Sequence, residues 1–250
     1  MSKNIVSYDV HKTYDSASQD YPDRMPYLGQ KQETKDGREY VFCSSVVNVA
    51  AGLVVAAPVV IAELDGVFTA ASEGDTSVTL TSALLSAVTA DEYKDGTLLI
   101  TESSGVKRAY TIKSNTAVSS NAVTFTLYEG LAGDVAATDA AFIRKFKYKT
   151  VVLGSIQCAP IGVAVTATTA ATDGAAGTTD GIAYFWAQTK GIGGVKVATE
   201  ANCIDSLAAV CAASGEAELA ATDSQYYPIG IFLPTAAVAA GDLCPIELML

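Results

Sequence analysis

Three kinds of hydrophobic patterning succeed one another along the chain. From about residue 63 to 149 apolar and polar residues alternate with a period of two, the mark of strands buried on one face. Ser77-Val78-Thr79-Leu80-Thr81, Thr97-Leu98-Leu99-Ile100-Thr101, Arg108-Ala109-Tyr110-Thr111-Ile112 and Val123-Thr124-Phe125-Thr126-Leu127-Tyr128 read as such strands. Ser104-Gly105 is a hairpin-type turn between the second and third. Thr89-Ala90-Asp91-Glu92 has the spacing of a capping box and predicts one helical turn ending near Gly96. The segment reads as a small β-barrel or sandwich.

The pattern differs on either side of that segment. Val151-Val152-Leu153, Ile161-Gly162-Val163-Ala164-Val165, Ile182-Ala183-Tyr184-Phe185-Trp186, Val195-Lys196-Val197, Ile229-Gly230-Ile231-Phe232 and Ile246-Glu247-Leu248 carry large residues on both strand faces, as strands between two layers do. Glu39 to Cys43, Val46-Val47-Asn48-Val49 and Leu53-Val54-Val55 belong to the same class, with Ala50-Ala51-Gly52 a turn between them. The expected fold is mainly β, with two β-sandwich or barrel-like modules: a main domain of 37–62 plus 150–250, and a smaller one, 63–149, inserted in it. A weak echo links Val47-Asn48-Val49-Ala50-Ala51-Gly52-Leu53 to the Ala-Ala-Gly turn of residues 236–243. The Thr/Ala/Gly/Asp-rich stretch 170–180 has no periodicity and reads as an exposed loop.

Residues 1–36 show neither period. They carry Tyr8, Tyr14, Tyr21 and Tyr27, with Pro22 and Pro26, among mixed charges, and predict an extended N-terminal arm. Ordering a residue costs roughly 1–2 kcal/mol of backbone entropy, so such an arm is expected to stay mobile until it lies on another subunit. Tyrosine buries a large area while offering a hydroxyl, which suits an interface. The four tyrosines are therefore candidate contact residues. So are Lys145, Lys147 and Lys149, which a strand over 142–149 would place on one face, opposite Phe142, Arg144, Phe146 and Tyr148. That face is either a lysine-protected solvated edge or a contact for an acidic surface.

Half of the 250 residues are hydrophobic, enough for a sizeable core, and the formal net charge is −11. Residues 1–36 hold 5 basic and 6 acidic groups, 37–149 hold 9 and 12, and 150–250 hold 2 and 9. An acidic surface repels phosphate backbones, so no nucleic-acid partner is expected. No run approaches the roughly 20 apolar residues that span a bilayer, and the start, Met1-Ser2-Lys3-Asn4, lacks an apolar signal core. No membrane partner is expected, and synthesis in the cytoplasm is. Cys43, Cys158, Cys203, Cys211 and Cys244 are odd in number without a C-x-x-C pair, and read as buried reduced thiols.

Catalytic chemistry finds little to work with. The one histidine, His11, falls in the arm, where a nucleophile's base could not be held rigidly. Asp91 with Glu92, and Glu216 with Glu218, resemble a solvated face as much as a carboxylate pair. The stretch from Asp173-Gly174 to Asp180-Gly181 lacks the alternating acids of a calcium loop, and Gly191-Ile192-Gly193-Gly194 lacks the spacing of a phosphate or dinucleotide loop. No enzyme activity, metal or cofactor is expected. Tyr184 and Trp186 could form a sugar-stacking platform, yet Ile182, Tyr184 and Trp186 share one strand face, and such a stripe is more often core.

Four stretches taken in order resemble a family of tailed-phage virion proteins, best known from marine phages and regarded as capsid decoration, or cement, proteins. They are Leu28-Gly29 with Asp36-Gly37-Arg38-Glu39-Tyr40 and Gly52-Leu53; Ala90-Asp91-Glu92-Tyr93-Lys94-Asp95-Gly96 leading to Tyr110-Thr111-Ile112; Gly181 with Tyr184-Phe185-Trp186-Ala187-Gln188-Thr189-Lys190-Gly191; and Pro228-Ile229-Gly230 with the C-terminal 243–250. The resemblance implies a structural protein of the virion, on the capsid exterior, bound to the major capsid protein and to neighbouring copies of itself as a homo-oligomer. The loop 170–180 fits no pattern of that family. The alternative is a tail- or head-associated adhesin that binds host surface carbohydrate through the Tyr184 and Trp186 platform.

Overall fold

Strands make up nearly all the regular structure in the computed structural model, which describes residues 10, 14–15, 26–58, 61–64, 67–101, 107–154, 159–168, 182–198, 208–211, 213–219, 228–233 and 238–250. Among these, the helical pieces are single 3-10 turns at Ala83–Leu85 and Ala213–Gly215. The chain forms two compact units, one of Met1–Ala57 with Tyr148–Leu250 and one of Pro58–Lys147. The first unit starts with β1 (Tyr14–Asp15), β2 (Lys31–Glu33), β3 (Glu39–Ser45) and β4 (Val54–Ala56). The second holds β5 (Ile61–Leu64), β6 (Val67–Phe68), β7 (Ser77–Thr81), β8 (Thr97–Thr101), β9 (Lys107–Asn115), β10 (Ala122–Leu127) and β11 (Ala140–Arg144). The chain then returns to the first with β12 (Val152–Leu153), β13 (Pro160–Ala164), β14 (Ala183–Lys196), β15 (Ala208–Cys211), β16 (Ala217–Leu219), β17 (Pro228–Phe232) and β18 (Leu243–Met249).

In the second unit the seven strands follow the order β5-β11-β8-β9-β10-β7-β6, every pair antiparallel. The strands at the two ends of this order, β5 and β6, are separated by only two residues of chain. Three peptide steps reach about 11 Å at most, so the sheet curls until its ends nearly meet. Its concave face carries the core: Val78, Leu80, Leu98, Ile100, Ile112, Phe125 and Ile143 are all buried. The outward positions are mostly polar or small, with Leu99 and Phe142 the half-buried exceptions, which is why the strands alternate in the sequence.

Thr89 and Glu92 meet as the capping-box spacing predicts, with the Thr89 amide donating to Glu92 Oε2 at 2.8 Å, but no helix follows. Asp91 and Asp95 take left-handed backbone angles, with φ of 58° and 63°, and their amides bond to Asn115 and Ile112 carbonyls of β9 at 2.9 and 2.8 Å. The segment is a run of turns tied to β9. Asn115 completes the tie: its Oδ1 accepts from the Tyr93 amide, and its Nδ2 donates to the Thr89 carbonyl, each at 2.8 Å.

The strand expected over 142–149 ends early. β11 stops at Arg144, where its ladder with β8 runs out opposite Thr97, and residues 147–150 turn. Ala141 and Ile143 point to the core while Phe142 and Arg144 stay half-buried. Lys145, Lys147 and Lys149 therefore do not share a strand face, and the unit boundary falls between Lys147 and Tyr148.

The spine of the first unit is β14. It pairs with β3 over residues 183–190, with β13 at Ala187 and Gln188, with β18 over 190–196, and with β1 at Ala183 and Tyr184, always antiparallel. Beyond β18 the order continues β17-β15-β16. A parallel bridge between Val197 and Ala217 brings β16 back toward the end of β14. The strands thus curl around Val195, Val197, Ala217, Ile229, Phe232 and Ile246. At the other end both faces are covered. Val41, Cys43, Phe185 and Ala187 join one cluster, and Tyr40, Phe42 and Trp186, from the opposite face of the same strands, join another with Val10.

The Ala-Ala-Gly echo corresponds to two like turns. Leu53 donates to Ala50 O at 3.2 Å and Asp242 to Ala239 O at 3.1 Å, with Gly52 and Gly241 at φ of 81° and 85°. They flank the end of β14, since Lys196 N donates to Gly52 O and Gly241 N to Val197 O.

Three expectations for this unit need correction. The extended arm does not run to residue 36: Lys31–Glu33 is hairpin-paired with β3, and beside that ladder Gly29 N donates to Phe42 O and Phe42 N to Gln30 O. Earlier still, Val10 is buried and Tyr14–Asp15 lies on β14. Val46 and Val47 form an exposed bend, not a strand, because Ser45 Oγ captures the Val47 amide at 3.1 Å. Finally, Cys43 is buried as expected, but Cys244 is disulfide-bonded. The expected hairpin at Ser104-Gly105 and the loop 170–180 lie outside the described residues.

Candidate functional site

The described residues among those singled out in the sequence have different surroundings within their own units. Tyr8, Tyr21 and His11 lie outside the described residues. Tyr14 stands opposite Tyr184 in the β1–β14 ladder. Tyr27 is 72% exposed at the entrance to the β2–β3 hairpin. Lys147 is exposed and Lys149 half-buried.

Lys145 is committed within its own unit: Nζ lies 2.6 Å from Glu92 Oε1 and 5.8 Å from the Tyr93 ring centre. Burial alone would raise the Glu92 pKa, but the hydrogen bond and charge of Lys145, with the Thr89 donors, outweigh it and hold the carboxyl below its ordinary range. Tyr93 itself is pushed up to about 12, by burial first and by the neighbouring Glu92 charge second. Glu92 and Lys145 thus fasten the turn run to the end of β11, and Gly96 belongs to the same corner. A Cβ there would press on the carbonyls of Arg144 and Tyr93.

The Tyr184-to-Gly191 motif also has a structural explanation. Trp186 is fully buried, with the Phe42 ring 5.2 Å away at 58°, and the Tyr184 ring stacks with Phe42 at 6.2 Å. A buried indole offers no face to a sugar. Where the β14–β3 register shifts between Gln188 and Lys190, Gln188 Nε2 donates to the carbonyls of Lys190, Gly191 and Ile192 at 3.1, 3.3 and 3.0 Å. Lys190 meets Glu39 at 2.9 Å, and Gly191 supplies a φ of 81° close against Arg38. The motif bends β14 from one set of neighbours to the next.

What the sequence reading missed is the outer face of β14 and β18 beyond that bend. Ile192, Leu243 and Met249 are 58, 56 and 59% exposed. Gly194 has no side chain, so the face dips between Ile192 and Leu243 into a shallow, mainly apolar depression of about 330 Å3, lined also by Gly193, Cys244 and Pro245. The signal was present. Cys244, Ile246 and Leu248 are buried, which turns Leu243, Pro245, Glu247 and Met249 outward, and three of those four are apolar.

Among the described residues, no group of three or more His, Cys, Asp or Glu side chains could hold a metal. No helix among them is long and apolar enough to cross a membrane. No family model, curated protein or solved structure matches the chain.

Proposed function

We propose that this protein is a structural component of a tailed-phage virion that binds the outer surface of the capsid and stabilises it. The sequence resemblance supports the reading, and so does the mainly β architecture. The observation that carries it is the set of exposed apolar side chains, Tyr27 before the β2–β3 hairpin and Ile192, Leu243 and Met249 on β14 and β18, on a unit that is otherwise acidic. Such patches are docking chemistry. In this reading the N-terminal segment with Tyr8, Tyr14, Tyr21 and Tyr27 meets the major capsid protein, and the protein acts without catalysis or cofactor. The adhesin reading loses its support, because its platform would need the buried Trp186.

The test is location and consequence. Labelled whole particles should carry the protein in many copies over the capsid lattice. Particles lacking it should still inject DNA but break at lower temperature or pressure. Localisation to tail fibres, with adsorption lost and particle stability unchanged, would overturn the proposal.

A further inference from the structure

The outer face of β14 and β18 has a symmetry of its own. Beyond the row of Lys190 with Met249, its cross-strand rows are Ile192 with Glu247, Gly194 with Pro245, and Lys196 with Leu243. The middle row is small and forms the floor of the depression. The rows on either side each hold one large aliphatic residue and one charge, with the charges opposite in sign and the aliphatic residues on opposite strands.

We infer that this face is the contact between two copies of the chain, related by a two-fold axis running along the Gly194–Pro245 row. Rotation about that axis exchanges the two outer rows. Lys196 of one copy then comes over Ile192 and beside Glu247 of the other, and Leu243 comes beside the partner's Ile192. Every contact occurs twice, as an isologous interface requires. Sheets stack face to face at about 10 Å, and the small middle row of Gly194 and Pro245 lets the aliphatic residues on either side approach.

The charges select this occupant. Lys190 and Lys196 are the only cations of residues 150–250. Lys190 is held by Glu39, so the face presents one unmatched cation and one unmatched anion: among the described residues neither Lys196 nor Glu247 has an ion-pair partner. A face of balanced charge suits a second copy. A purely acidic partner would be attracted by Lys196 and repelled by Glu247.

The inference adds a location for self-association to the capsid reading, and can be tested without capsids. Sedimentation of the full-length protein should show a concentration-dependent dimer. Lys196→Glu and Glu247→Lys should each weaken it about tenfold or more, since like charges then face each other, and the double reversal should restore it. Gly194→Cys should cross-link two copies under mild oxidation. A Cβ at Gly194 makes only ordinary contacts, at 3.7 Å from Leu243, so the variant folds. Thr111→Cys in the second unit is the control. A protein that stays monomeric, a dimer indifferent to the single reversals, or reversals without rescue would overturn the inference. A dimer behaving as described that fails to bind capsids would overturn only the capsid reading.

Discussion

The two units solve the same problem, a core between strands, in different ways. In the second unit one curled sheet encloses one cluster, so each strand needs apolar residues on one face only; β7 and β10 alternate buried and less buried positions along their whole length. In the first unit β3 and the first half of β14 are covered on both faces, and six consecutive residues of β3 are buried. The second half of β14, with β18, keeps apolar residues outward and has no cover from its own chain among the described residues. One-sided burial yields a self-sufficient module. Two-sided burial leaves an apolar face wherever the second layer stops.

The strongest test of that contrast is parity. In the first unit Phe42→Ala and Val41→Ala, on opposite faces of β3, should both destabilise, by about 3–5 and about 2 kcal/mol, measured by urea unfolding followed by circular dichroism. In the second unit Phe125→Ala should cost about 3–5 kcal/mol, whereas Thr111→Ala, outward on β9, should stay within about 0.5 kcal/mol. Equal costs at Thr111 and Phe125 would erase the distinction.

A somewhat smaller effect is expected at Gly230, where β17 lies against β18. A Cβ there would run into the backbone carbonyl of Glu247 and the Ile246 side chain. Gly230→Ala should destabilise the first unit by about 1–3 kcal/mol and leave amide exchange in β8 to β10 unchanged. Slowed or unaltered exchange in β17 and β18 would show that the close approach is not real.

These same features explain how much could be read in advance. Strands β7 to β10 of the second unit were legible almost residue by residue, because alternation names the buried face without further information, whereas the short β5 and β6 were not read. In the first unit the presence of strands was legible from both-face runs, but their partners were not: nothing local in Tyr184-to-Gly191 says that β14 changes neighbours there, since that depends on β3 and β18, far away in the chain. The turn run at 89–96 misled because its capping contact forms while Asp91 and Asp95 leave the helical region to bond with β9. The lysines of 142–149 misled because strand length is set by the partner, and β8 ends opposite Arg144. The outward apolar set of β18 was written in its alternation, but only pairing with Ile192 and Gly194 turns it into a face.

Val10 and β1 offer the next test, since they lie on the most fully covered part of the first unit. Deleting residues 2–25 removes β1 and Val10, which packs with Tyr40, Phe42 and Trp186, but keeps the β2–β3 hairpin. Burial of one valine is worth about 2 kcal/mol, so the truncated protein should remain folded with the first unit weakened by about that much. Near-ultraviolet circular dichroism should report the loosened Trp186. Capsid binding, if the N-terminal segment supplies it, should fall together with this signal, and undiminished binding would move the contact to another surface.

The smallest expected effect separates the units by pH. Glu92 has its pKa lowered in the folded state from 4.5, so its pairing with Lys145 contributes stability that is fully present above the unfolded value and is lost as pH falls through the folded one. Both side chains are about a quarter exposed, which limits the contribution to about 1 kcal/mol or less. Lys145→Met should therefore lower the stability of the second unit modestly at pH 7 and make its decline between about pH 5 and pH 3 shallower than in the parent. The first unit should not respond to this substitution, because of its own lowered carboxyls Asp36 is held by Thr34 and then Arg38, and Glu39 by Lys190. Unit-resolved amide exchange against pH separates the two. Identical pH profiles for parent and variant in the second unit would mean that the Glu92–Lys145 pair contributes nothing to holding its turn run against β11.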